Sequence, residues 1–185
     1  ATQKGLVRFN KYSGEDHTFY NKSVPEQSQF SANDLRCLYA HANGRIYLGS
    51  WWQQVQVFDS KTEKYVPLAS CGKENPDLAE DVLLSFYPKS LNELWVNSSH
   101  GLRVLNVDKH CFTEQFANTK SETYSVNYLD QAGRYWGATR NRGLHIYNPL
   151  VQQMTQQYYE NPDSFRGITR TILEDTLRNQ LLLLA

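Results

Sequence analysis

Alternation of apolar and polar residues, rather than a helical period, dominates the chain. Leu35, Cys37 and Tyr39 alternate on one face, Asn43-Gly44 follows as a hairpin turn, and Ile46 to Ser50 predicts the returning strand. Val55 to Asp59 predicts a third strand, Asp59-Ser60-Lys61-Thr62 a turn, and Lys64 to Leu68 a fourth. The same order returns twice. Val82, Leu84 and Phe86 alternate, Pro88 to Asn92 reads as a turn, and Leu94 to Asn97, Leu102 to Val107 and Phe112 to Phe116 read as strands. Tyr124, Val126 and Tyr128 open a further unit, with strands at Tyr135 to Thr139, Leu144 to Asn148 and Met154 to Tyr159; Pro149 ends the third of these because it cannot donate to a ladder. Glu80 to Phe86 has some helical propensity, but its alternation favours a strand.

The units are half-formed at both ends. Residues 5–20 predict a single hairpin, and residues 168–185 begin a new unit at Ile168, Arg170 and Ile172 and stop in its second strand. Complete units are predicted at 35–68, 82–116 and 124–159, joined by polar loops. The opening of the third strand falls at residues 5, 54, 101 and 143, so the spacings are 49, 47 and 42. Repetition of an all-strand unit at that period predicts a β-propeller of four-stranded antiparallel blades. One meander cannot cover both of its own faces, and radial packing of meanders solves this. Tyr47, Trp95 and Trp136 fall at one repeat position and are expected to form the core between blades. The whole of 1–185 then reads as a propeller segment, a fragment of a larger ring of about seven blades, the alternative being a closed ring of four.

The residues support a resemblance. Ile46-Tyr47-Leu48-Gly49-Ser50, Leu94-Trp95-Val96-Asn97-Ser98 and Tyr135-Trp136-Gly137-Ala138-Thr139 match one block of a repeat. Gly5-Leu6-Val7-Arg8-Phe9-Asn10, Gly101-Leu102-Arg103-Val104-Leu105-Asn106 and Gly143-Leu144-His145-Ile146-Tyr147-Asn148 match the next. Together they resemble the two-component regulator propeller repeat. Ile172-Leu173-Glu174-Asp175 resembles the acidic end of that family's first strand, and the first full unit departs from the pattern, with Gln54-Val55 in place of Gly-Leu after an inserted Trp51-Trp52. The resemblance implies the periplasmic sensor part of a membrane-anchored signalling protein whose output is a histidine kinase or, in other members, a diguanylate cyclase. It further implies an oligosaccharide or other small-molecule ligand, with output through a homodimer or rigid-body movement.

Composition narrows the function classes. Net charge is zero, against a nucleic-acid partner bound through its phosphates. No apolar run reaches the roughly 20 residues of a spanning helix. No signal peptide is visible, and Ala1-Thr2-Gln3 is compatible with a trimmed start. Cys37, Cys71 and Cys111 are expected as reduced, mostly buried thiols, with one disulfide and one free thiol as the alternative. Neither metal-ligand spacing nor a cofactor motif is present, and His17, His41, His110 and His145 are scattered.

In a meander blade, the loops joining strands two and three share a rim with the loops between blades. That rim collects Trp51, Trp52 and Gln53, then His100, then Arg140, Asn141 and Arg142. Aromatic rings stack on pyranose faces and planar polar groups bond hydroxyls, so these seven are the candidate ligand-binding residues. Against that, a Trp here can wedge between blades and an Arg can pair with a neighbouring carboxylate. A glycosidase would need paired carboxylates; Glu74, Asp77, Glu80, Asp81, Glu160 and Asp163 are candidates on the rim, but they fall in loops with no repeating chemistry around them, so the expected function is binding, with no catalytic residue. A scaffold for protein partners and, last, a glycan-active enzyme are the alternatives.

Overall fold

The computed structural model describes residues 5–15, 18–20, 34–51, 55–69, 71, 82–116, 124–139, 143–157 and 170–184. All regular structure among them is strand. In unit one, Ala1–Gln115, β1 (Leu6–Arg8) and β2 (Thr18–Tyr20) form a hairpin. Next come β3 (Leu35–Ala40), β4 (Arg45–Ser50), β5 (Gln56–Asp59) and β6 (Lys64–Val66), hydrogen-bonded in chain order as one antiparallel sheet. A second such sheet holds β7 (Leu83–Ser90), β8 (Glu93–Ser98), β9 (Gly101–Asn106) and β10 (Cys111–Gln115). In unit two, Phe116–Ala185, a third comprises β11 (Tyr124–Leu129), β12 (Tyr135–Thr139), β13 (Leu144–Asn148) and β14 (Gln153–Gln157), followed by the pair β15 (Thr171–Asp175) and β16 (Gln180–Leu184).

Within unit one the sheets stack face against face. Tyr47 and Leu48 are neighbours in β4, so they point to opposite faces, yet both are fully buried. Tyr47 and Val57 pack with Leu83, Phe86, Leu94, Val96 and Leu105 of the β7–β10 sheet. Leu48 and Phe58 pack with Leu6 and Tyr20 of the first hairpin. Each such side chain, taken out of water, contributes about 1.5–3 kcal/mol. In unit two, Trp136 and Ala138 share a cluster with Ile172, Leu181 and Leu183 of β15–β16. Tyr47 and Trp136 therefore both face the sheet that follows them in the chain, as core between blades; Trp95 is 1% exposed.

Small residues set how closely the strands pack. A Cβ on Gly49 would lie 2.4 Å from Cys37 Sγ and 2.8 Å from Leu83 Cβ. One on Gly137 would lie 2.5 Å from the ring of Tyr124. Tyr124 is itself held in the interior by a hydrogen bond between its hydroxyl and His145 Nδ1, and Tyr135 donates to Asn127 Oδ1. These partners account for His145 as a buried structural residue.

Two expectations are corrected. The turn expected over Pro88 to Asn92 is shorter, because β7 runs through Pro88 to Ser90 and leaves only Leu91 and Asn92. Proline is tolerated there because β7 is an edge strand, and the ladder shifts between Pro88 and Ser90. The cysteines are not all reduced: Cys71 and Cys111 form a disulfide across 40 residues, and Cys37 is free. The pairing is tertiary in origin. Ala69 N donates to His110 O at 2.7 Å, which lays the segment leaving β6 beside the start of β10. Cys37 fits the original expectation, and burial pushes its thiol up to about 12.

Candidate functional site

The junction between second and third strands has a local logic. Thr139 Oγ1 donates to Gly143 O at 3.0 Å, and Ser98 Oγ donates to Gly101 O at 3.1 Å. Gly143 and Gly101 take φ of 86° and 105°, a left-handed conformation that a side chain disfavours. The hydroxyl and the glycine together clamp the base of the loop. Where Gln54-Val55 replaces Gly-Leu, the equivalent Ser50 is fully buried and its hydroxyl has no partner among the described residues.

Immediately after Ser50, Trp51 is pinned by its backbone. Its N–H donates to Asp34 O at 3.1 Å, and it forms an antiparallel bridge with Val82, the residue that leads into the next sheet. Val82 is pinned in turn by the loop of that sheet: Ser99 N donates to Val82 O at 2.9 Å and Val82 N donates to Ser99 Oγ at 3.1 Å. His100 N donates to Ser98 Oγ at 3.2 Å, and Ser99 Oγ lies 3.3 Å from His100 Nδ1. The structure thus brings Trp51 and the Ser99-His100 pair to one point, Val82. The half-buried indole of Trp51 carries the exposed guanidinium of Arg36, 3.5 Å from the ring centroid. A cation over an indole contributes about 0.5–1 kcal/mol at an exposed site, and more when desolvated.

The chain superposes on solved structures of bacterial extracellular and surface proteins. Over 98% of its length it matches the extracellular domain of the hybrid two-component system BT3049 from B. thetaiotaomicron, at 18% identity and a TM-score of 0.72, covering 23% of that chain. The extracellular domain of the two-component system BT4673 from the same organism matches over 98% at 14% identity and a TM-score of 0.71, covering 24% of it. PorZ, a surface component of the type-IX secretion system of Porphyromonas gingivalis, matches over 92% at 15% identity and a TM-score of 0.66, covering 22% of it. The fold is that of a β-propeller segment. The chain spans less than a quarter of the length of each of these three. No protein-family model matches it, and no curated protein does.

Of the candidate residues in these blades, Trp51 and His100 are described and lie on neighbouring sheets around Val82. Trp52, Gln53, Arg140, Asn141 and Arg142 lie outside the described residues. Arg36 was missed by the sequence reading. It stands in the first strand, not in a loop, and its alternation with Leu35 and Cys37 marks only an outward-facing position. Its place over Trp51 depends on β3 pairing with β4 in a register where Leu35 faces Ser50.

The opposite ends of the strands carry structural polar groups. Asp130 accepts from Arg134 N at 2.8 Å, Arg134 Nε at 2.6 Å and Trp136 Nε1 at 2.8 Å. Burial alone raises the Asp130 carboxyl, but these three donors outweigh it and the group ionises below the usual carboxylate range. His41 Nε2 meets Leu91 O at 2.9 Å, and Arg45 donates to His110 Nε2, so both histidines tie the β3–β6 sheet to the β7–β10 sheet. Among the described residues, no cluster of three or more His, Cys, Asp or Glu has the arrangement of a metal site.

Proposed function

We propose that this chain is part of the extracytoplasmic sensor propeller of a two-component regulator, and that it binds an oligosaccharide or other small molecule on the rim carrying Trp51 and His100. The observation that carries the reading is its likeness, over 98% of its length, to the extracellular domains of two-component systems. The Cys71–Cys111 disulfide supports an oxidising compartment, the periplasm for a protein of this kind. On this reading the segment binds and does not catalyse, and a histidine kinase or a diguanylate cyclase in the parent protein carries the output across the membrane. A homodimer fits the same mechanism.

A glycan panel screened by thermal shift and calorimetry tests it. A ligand that binds only the folded state raises the melting temperature by mass action, and Trp51→Ala should weaken that ligand by at least about tenfold. A ligand whose affinity is unchanged in both Trp51→Ala and His100→Ala removes this rim as the site. A second reading, a surface scaffold without a small ligand, draws on the likeness to PorZ. It would be favoured by saturable binding of a protein partner with no response to any glycan.

A further inference from the structure

We infer that Arg36 anchors a site for a uronate, a saccharide bearing a carboxylate, beside Trp51 on the edge of β3. The inference rests on the rim being a ligand face and narrows the ligand to one chemical class.

The other arginines whose ion pairs are described have protein partners: Arg8 with Glu63, Arg134 with Asp130 and Arg178 with Asp175. Arg36 has none among the described residues; its specific contact is the indole face. It is exposed on β3, an edge strand of its sheet that runs beside β7 of the next. Asp34, two residues away, gives its backbone carbonyl to Trp51. A guanidinium lying flat on a ring directs its N–H groups outward in its own plane. Two parallel N–H bonds from that edge match the two oxygens of a carboxylate.

The support is rigid. The Trp51 backbone is held through Asp34 and Val82, so the strand position that carries the indole beneath Arg36 is set before any ligand arrives. Less rotamer freedom is then lost on binding than for an arginine swinging in solvent. Because the cation covers one face of the indole, that face is not a platform for a pyranose. Trp51 becomes the backing of the arginine, and Ser99 and His100 are the polar groups gathered at the same strand start. A neutral sugar would desolvate the guanidinium without returning a charge to it, which selects for the acid.

Calorimetry with digalacturonate, glucuronyl-xylose, the methyl ester of digalacturonate and neutral cellobiose decides the matter. At least one of the two acids should bind, at least about tenfold more tightly than neutral cellobiose and with an affinity that falls as salt rises, and where digalacturonate binds its methyl ester should be weaker by at least about tenfold. Arg36→Gln should lose a similar factor while the melting temperature of the unliganded protein falls by no more than about 2–4 °C, the share of the cation–indole contact, and Arg36→Lys should recover only part of the lost affinity. Equal binding of acid and ester, or an unchanged affinity in Arg36→Gln, overturns the uronate while leaving a sugar-binding rim intact. Failure of both acids to bind at millimolar concentration overturns it as well; the wider glycan panel then judges the sensor reading separately.

Discussion

At the scale of single residues, the repeat motif is a set of packing solutions. The glycine in Leu48-Gly49-Ser50 is there because Cys37 and Leu83 already occupy the space a Cβ would need. Tyr124 does the same to Gly137. Neither glycine has a positive φ, so the constraint is space and not backbone conformation. Gly49→Ala and Gly137→Ala should each destabilise by about 1–3 kcal/mol in urea unfolding, the usual cost of overpacking a filled core. A loss well below that at both sites would mean that the sheets can separate without penalty. Asn97 in β8 and Ala138 in β12 occupy the position of Gly49, and Val96 that of Gly137, so each place requires local fit rather than glycine as such. The alternation of Leu35, Cys37 and Tyr39 was readable in the chain; the thiol lying against Gly49 was not, because the two residues are neighbours only through the ladder.

At the scale of elements, one turn design recurs. Asp59, Asn106 and Asp175 each accept two backbone N–H groups through the side chain, and the fourth residue onward in each case, Glu63, His110 or Asn179, takes a φ between 53° and 55°. The turn at Asp59 was legible in the chain, whereas Asn106 fell inside the stretch read as a strand, Leu102 to Val107; of the left-handed residues four places on, Asn179 and His110 are of types that enter that conformation more readily, and Glu63 is not. His110 is the consequential one. Arginine can only donate, so the Arg45 contact requires His110 Nε2 to accept and the ring to be neutral. Burial first, and Arg45 second, hold His110 below its usual range, against a smaller opposing pull from Asp108. A histidine with a lowered folded pKa contributes stability above its unfolded pKa of about 6.5, and that stability is lost as pH falls through the folded value. The melting temperature should therefore decline on acidification from neutral pH, and His110→Gln, which can still accept from Arg45, should flatten the decline between about pH 7 and 5. An identical slope in the variant would show that His110 does not couple these sheets to pH.

At the scale of the molecule, the link between units of the repeat matters as much as the units. The disulfide ties the strand start of one sheet to the segment leaving the sheet before it. By chain entropy, closing a loop of 40 residues stabilises by about 4 kcal/mol. The Cys71→Ser, Cys111→Ser double variant should lose roughly 2–4 kcal/mol in denaturant unfolding and stop responding to reductant. No loss on reduction of the parent protein would show that the backbone contacts at Ala69 and His110 suffice. The chain by itself determined its strands, their antiparallel order within each sheet and the propeller class, because alternation, turn residues and a repeat near 45 residues are local signals that add along the sequence. Only the tertiary structure decided the Cys71–Cys111 pairing, the meeting of Trp51 and Ser99 at Val82, and the placing of Arg36 over an indole. Each of these joins residues from different strands or sheets, and their proximity follows from register and sheet stacking, which no single stretch of residues encodes.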